Sequence, residues 1–221
     1  MNKEMMVEAS MHPELELQIM DADNRVELQI QQIEEFIEEE VDVLIVSPIQ
    51  SVPVTQVIEK AMNKGIPTIV IDRKIEGSNY TAYVGANNVQ IGESIGNYIL
   101  AHAKGDTKVI EIRGQEGSSP AHERSEGFHG IIDSAPSIMV QAIINGNWEK
   151  ESVTSELEDL LDSLGPPDFI FAHNDRMAQG AWEVAKKFEL HNDISVIGVD
   201  GLFGPSGGIQ LVKENVLDAT I

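Results

Sequence analysis

Short runs of aliphatic, often β-branched residues alternate with longer amphipathic stretches through most of this chain, and few architectures accommodate that pattern. Val26, Ile30, Ile33 and Ile37 recur at helical spacing between Asn24 and about Glu39, which predicts a helix with one apolar face. Val41–Val46 follows as a nearly continuous apolar run that Ser47-Pro48 stops, and Val52–Asn63 reads as a helix closed by Gly65. The same reading predicts strands over Leu15–Met20, Thr68–Ile71 and Tyr80–Val84, and a helix from Asn88 to Ala103. After Lys104-Gly105-Asp106 the alternation restarts. Strands are predicted over Lys108–Ile112, Met139–Asn145, Phe169–Ala172 and Ser195–Val199. Helices are predicted from Ser119-Pro120, taken as N-cap and first turn, to Asp133, over Lys150–Leu164 and Asp175–Phe188, and briefly over Ile209–Asn215. Strands apolar on both faces that alternate with helices imply parallel sheets covered by helices. The fold class expected is α/β, with two doubly wound lobes: residues 1–104 and residues 105–221.

The length of 221 residues suits one large domain or two lobes of about 100 residues each. Fifteen basic against 37 acidic residues give a net charge of -22, a field that repels nucleic acid, so none is expected as a partner. The absence of cysteine removes disulfides, thiolate nucleophiles and cysteine-based metal sites. The six histidines lack metal-ligand spacing, and there is no phosphate-binding loop, dinucleotide fingerprint or nucleophile elbow. Neither metal, cofactor nor catalytic residue is therefore expected. The opening MNKEMMVEASMHPE lacks the apolar centre of a secretory signal, which leaves a cytosolic chain or a gene start upstream of Met1.

Polar residues follow several predicted strands directly: Ser47, Asp72-Arg73, Arg113, Asn174 and Asp200. Strand ends of a parallel sheet share one edge, and ligands bind outside it. Two sheets facing each other by those edges would gather Asp72, Arg73, Asn174 and Asp200 around one cleft. Carboxylates accept hydrogen bonds from adjacent hydroxyls, guanidiniums donate in a fixed plane, and an amide does both, a set suited to a neutral polyol. Trp148 offers a flat apolar face to the C–H side of a sugar ring. Each has a bland reading as well: Asp72 and Asp200 as turn or cap residues, Asn174 as a cap, Arg124 as a surface ion-pair partner, Trp148 as core.

At these residues the chain resembles the ribose-binding branch of the type I periplasmic binding proteins. The resemblance rests on GIPTIVIDRK (Gly65–Lys74), YVGANNVQIGESIGNYI (Tyr83–Ile99), VIEIRGQEGSSPAHERSEGF (Val109–Phe128), FAHNDRMAQGA (Phe171–Ala181) and VIGVDG (Val196–Gly201), which occur in family order. It implies sugar contacts at Asp72, Arg73, Arg124, Trp148, Asn174 and Asp200, and binding by hinge closure without chemistry. Val199–Ile221 resembles more closely the extracytoplasmic sensor domains of Bacteroides-type hybrid two-component regulators. That implies a periplasmic location, a membrane-linked kinase region elsewhere in the protein and a homodimer as a further partner. A transport binding protein is the other form of the same reading. Against the family pattern, the chain starts inside the helix after the first strand and stops before the last elements, so the first lobe is expected to be incomplete at both chain ends.

Two other readings remain open. The effector domain of a LacI-type transcription regulator shares the fold and would be cytoplasmic, but it requires an upstream helix-turn-helix. A sugar hydrolase would use Asp72 and Asp200 as paired carboxylates.

Overall fold

A computed structural model describes residues 2–221. The chain runs α1 (Asn2–Ala9), α2 (Val26–Glu38), β1 (Leu44–Val46), α3 (Ser51–Asn63), β2 (Thr68–Ile71), β3 (Ala82–Val84), α4 (Asn88–His102), β4 (Thr107–Arg113), α5 (Ser119–Ile132) and β5 (Ile138–Asn145). A 3-10 turn at Glu151–Val153 leads into α6 (Thr154–Leu164), followed by β6 (Phe169–Ala172), α7 (Asp175–Lys187), β7 (Ser195–Gly198), α8 (Gly208–Lys213) and β8 (Ala219–Thr220). The strands form two sheets, ordered β1-β2-β3 and β5-β4-β6-β7-β8, with every pairing parallel. The alternation read from the sequence therefore corresponds to two crossover-connected parallel sheets.

The second sheet is doubly covered. One face packs Ile110, Ile112, Ile144, Ile170 and Val196 against Val153, Leu157, Met177, Ala181 and Leu211 from the turn and helices α6, α7 and α8. The other packs Val109, Phe169, Phe171 and Ile197 against Ile95 and Ile99 of α4 and Phe128 and Ile132 of α5. So α4, although it precedes residue 104, belongs to the core of the second sheet. The first sheet packs one face, through Leu44, Val46 and Val70, on α2 and α3. Ile45 on its opposite face is 42% exposed, so the double covering expected for both sheets holds here for the second alone.

Two local expectations are corrected and one element is added. Leu15–Met20 is irregular rather than a strand: the described residues offer it no ladder, and Leu15, Leu17 and Met20 stay exposed. The N-cap of α5 is Ser118, one residue earlier than expected, with Pro120 in the first turn. Ser119 instead accepts a hydrogen bond from the Lys74 backbone N–H, at 2.6 Å. Strand β8 has no counterpart among the expected elements, because two residues carry too little periodicity.

Helices α4 and α5 approach closely because glycines line their crossing. A Cβ on Gly92 would stand 2.1 Å from the Arg124 carbonyl oxygen, and one on Gly127 would stand 2.0 Å from that of Val89. Both neighbours are helix backbone and cannot move aside alone. Gly127→Ala is expected to push the helices apart and destabilise the protein by about 1–3 kcal/mol, as overpacking of a filled interior does. Urea unfolding checks this. Gly130→Ala, where a Cβ meets nothing within 4 Å, is the comparison and should be neutral or stabilising.

Candidate functional site between the two sheets

The carboxyl ends of the two sheets meet. The Ser51 N–H at the start of α3 donates to the Gly117 carbonyl at 3.0 Å. Beyond β2, Lys74 adds an Nζ–Glu123 Oε1 ion pair at 2.7 Å to the backbone bond to Ser119 already noted. Hydrogen bonding to Glu123 raises the Lys74 pKa against the opposing effect of burial. All three links join the first sheet to the loop before α5 or to α5 itself.

Next to this seam lie the strand-end residues. Asp72 leaves β2 at φ 63°, and its N–H donates to Val84 O at 2.8 Å, which extends the β2–β3 ladder by one rung. Tyr83 Oη donates to the Asp72 carbonyl at 3.0 Å. The Asp72 carboxylate remains exposed, with Arg73 Nε at 3.9 Å. Arg73 turns toward the seam and donates from a terminal nitrogen to Ile49 O at 3.3 Å. Asp200 leaves β7 at φ 116°, and its N–H donates to Ile221 O at 3.0 Å.

Arg124, 9% exposed, projects from α5 between them. Nε donates to Asn88 Oδ1 at 2.9 Å, and a terminal nitrogen donates to the His173 carbonyl. Burial lowers its pKa, and the charges of Asp200, Asp72 and Asp175 oppose that lowering. A guanidinium stays protonated throughout the accessible range, so the cluster has a fixed positive centre. Asp200 keeps solvent contact, yet desolvation by the surrounding protein raises its pKa to about 6. Arg124 acts against this rise, while Asp175 and Asp72 add to it.

Trp148 sits beyond β5 on consecutive left-handed residues, Asn147 at φ 51° and Trp148 at φ 68°. The indole lies against Gly114, where a Cβ would stand 2.1 Å from ring carbon Cη2, so this approach requires glycine. The guanidinium carbons of Arg73 and Arg124 lie 5.9 and 5.7 Å from the ring centroid, within cation–π range. Among the described residues the buried Nε1 has no hydrogen-bond partner. Asn174 caps α7, accepting from Met177 N at 2.8 Å, and its Nδ2 donates to the Trp148 carbonyl at 3.1 Å. The cap reading of Asn174 is therefore real, although an amide nitrogen carries a second hydrogen for another acceptor.

Arg113 stands elsewhere. Its guanidinium pairs at 2.9 Å with Glu111, which is fully buried inside β4. Glu111 also meets His129 Nε2 at 3.2 Å and His173 Nε2 at 3.0 Å, and His129 reaches Asp133 at 2.9 Å. His173 is thus a core residue, and its backbone carbonyl holds Arg124. The sequence carried a signal for this network, an acidic residue within the apolar run Val109–Ile112. Asp175, Asn88 and the Ser119–Lys74–Glu123 seam gave no comparable signal. The described residues contain no group of His, Asp and Glu that could hold a metal ion.

The chain matches the periplasmic binding protein domain family over residues 1–221 and belongs to it. It is 38% identical, with a TM-score of 0.94, to the fructose-binding periplasmic domain of the hybrid two-component system BT1754, over 99% of this chain and 73% of that one. It is 32% identical over 205 residues to the ribose import binding protein RbsB of Bacillus subtilis strain 168, which covers 92% of this chain and 64% of that protein. A Caulobacter myo-inositol binding protein shares 26% identity at a TM-score of 0.86, covering 92% of this chain and 69% of that chain. The chain thus spans about two thirds of these relatives' lengths. Among the described residues, no helix is long and apolar enough to cross a membrane.

The buried network makes stability depend on pH in a definite direction. Despite burial, hydrogen bonds from His129 and His173 hold the Glu111 pKa below its ordinary value. This contribution is present above pH 4.5 and fades as pH falls through the depressed value. Glu111 raises the His129 pKa. That contribution is full below pH 6.5 and is lost as pH rises through the raised value. Burial lowers the pKa of His173, so its contribution is present above pH 6.5 and fades as pH falls. His129→Gln should therefore remove the stability lost on the alkaline side and weaken, without abolishing, the acid limb, because His173 and Arg113 still hold Glu111. Urea midpoints measured across the range check this.

Proposed function

We propose that this chain is a ligand-receiving part of a periplasmic binding protein, and that it holds a monosaccharide or cyclic polyol between its two sheets without transforming it. The observation that carries the reading is the convergence of Arg73 and Arg124 on the Trp148 ring, beside Asp72 and Asp200. Two guanidiniums and two carboxylates balance, which favours a neutral ligand. Carboxylates and guanidiniums supply complementary acceptors and donors for vicinal hydroxyls, and the indole supplies a surface for ring carbons. In this reading Asp72, Arg73, Arg124, Trp148, Asn174 and Asp200 are the contacts.

The proposed division into lobes runs between β3 and α4, because α4 packs with the second sheet. A ligand touching both lobes stabilises their closed arrangement by contacts that the open one lacks. The hybrid-sensor role is favoured by the 38% identity to the BT1754 domain, a fructose-binding periplasmic domain. It brings with it a periplasmic location, a kinase region elsewhere in the protein and a homodimer. Import is the second reading, favoured by the similarity to ribose import binding proteins.

A thermal-shift screen with D-fructose, D-ribose, L-arabinose and myo-inositol tests the reading. A ligand at about 100 times its dissociation constant adds roughly 2.7 kcal/mol. Asp200→Ala should abolish the shift, and no shift with any sugar for the parent protein would contradict the reading. Binding should also weaken as pH falls through about 6, because protonation of Asp200 converts an acceptor carboxylate into a poorer acceptor. Calorimetric titrations well above and well below that pH check this.

A further inference from the structure

Asp175 is a buried carboxylate that belongs to none of the proposed contacts. It opens α7, where its N–H donates to Val199 O at 2.8 Å, and its side chain sits in a cradle of glycines. A Cβ on Gly198 would stand 2.3 Å from Oδ1, and one on Gly208 would stand 2.0 Å from Oδ2. Thr220 Oγ1 donates to Oδ1 at 2.7 Å. The Gly201 N–H points at both partners, with Asp175 Oδ2 at 3.0 Å and Thr220 Oγ1 at 3.0 Å. The groups acting on this carboxylate are therefore the Thr220 hydroxyl, the Gly201 and Gly208 N–H groups, and the charge of Arg124.

The Gly201 N–H belongs to the same planar peptide unit as the Asp200 carbonyl, so fixing that N–H fixes ψ of Asp200. Asp200 stands at φ 116° and Gly201 at φ 55°. A non-glycine residue at such a φ persists only where its surroundings over-determine it. One pin comes from the backbone bond between Asp200 N and Ile221 O, beside the β7–β8 pairing of Gly198 with Thr220. The second is the Asp175–Gly201–Thr220 knot. Both pins lead to the segment that carries β8.

We propose that Asp175 is a positioning residue: with Thr220 it locks the peptide that aims Asp200 into the cleft and couples that carboxylate mechanically to β8. This rests on the sugar-binding reading for its purpose, though not for its geometry. Strand β8 is then the element that responds when Asp200 is engaged, and the hydroxyl of Thr220 is the joint.

The test does not depend on knowing the ligand. Thr220→Val keeps the shape of the side chain and removes the donor, whereas Thr220→Ser keeps the donor. Amide hydrogen exchange at Gly201 is expected to quicken about tenfold in Thr220→Val, the equivalent of one hydrogen bond, and to return to the parent rate in Thr220→Ser. Asp175→Asn removes a negative charge beside Asp200, so the Asp200 carboxyl should titrate below about 6 in a 13C NMR titration. Arg124 and Asp72, the other charges facing Asp200, are left in place. Unchanged Gly201 exchange in Thr220→Val, or an unchanged Asp200 midpoint in Asp175→Asn, overturns the proposal. D-Fructose and D-ribose titrated into the same proteins separate the two readings. If neither sugar binds the parent but the exchange and titration results hold, the sugar reading fails and the lock stands. If a sugar binds the parent, Thr220→Val should weaken it severalfold and Thr220→Ser should restore it. Equal affinity in all three proteins overturns the lock.

Discussion

A guanidinium that cannot lose its proton, placed where little water reaches, must be met by oxygen atoms on every side. Arg124 is that group, and elements packed on the second sheet are arranged around it. Asn88 at the start of α4 supplies one acceptor and the carbonyl of His173 another. Asn88 reaches it because Gly92 and Gly127 let α4 and α5 approach at backbone distance. The His173 carbonyl stays in position because its ring is fixed to Glu111 inside β4. Removing one partner of a buried ion cluster leaves the others uncompensated, which costs more than the pair contributes.

The same cation organises the seam between the sheets. Asp72 comes from the end of a strand in the first sheet, Asp200 from beyond β7 and Asp175 from the start of α7, and all three act on Arg124. Arg73 joins from the first sheet and shares the Trp148 face. Two cations on one ring repel each other unless carboxylates stand beside them, so Asp72 and Asp200 make the arrangement tolerable as well as useful. The Ser51, Lys74 and Ser119 bonds hold the sheets in register while leaving this charged patch its own geometry. These links between the two sheets are polar ones.

Much of this was legible in the sequence because parallel sheets put their strand ends on one edge. Asp72 and Asp200 each close an apolar run and Asn174 stands one residue beyond another, so topology puts Asn174 and Asp200 on one sheet edge, while the approach of Asp72 depends on how the two sheets meet. The helices over Asn88–His102 and Asp175–Lys187 were legible for a related reason, since amphipathic periodicity survives tertiary context. An alternating stretch such as Leu15–Met20 becomes a strand only when a neighbouring strand is there to pair with it, and the described residues supply none. The role of Asn88, the glycine crossing and the Thr220 joint depend on contacts between residues far apart in the chain, which periodicity does not encode. Asp175 was hidden by its neighbour: beside the cap residue Asn174 it reads as first-turn acidity, while its carboxylate is spent on Gly201 and Thr220.

The most direct measurement is a crystal structure of the protein grown with D-fructose or another sugar that raises its melting temperature. The account predicts a ring stacked on the Trp148 indole, with hydroxyls on the guanidiniums of Arg73 and Arg124 and on the carboxylates of Asp72 and Asp200. Sugar density at any other place on the molecule, with the Trp148 face still covered by protein alone, would contradict it.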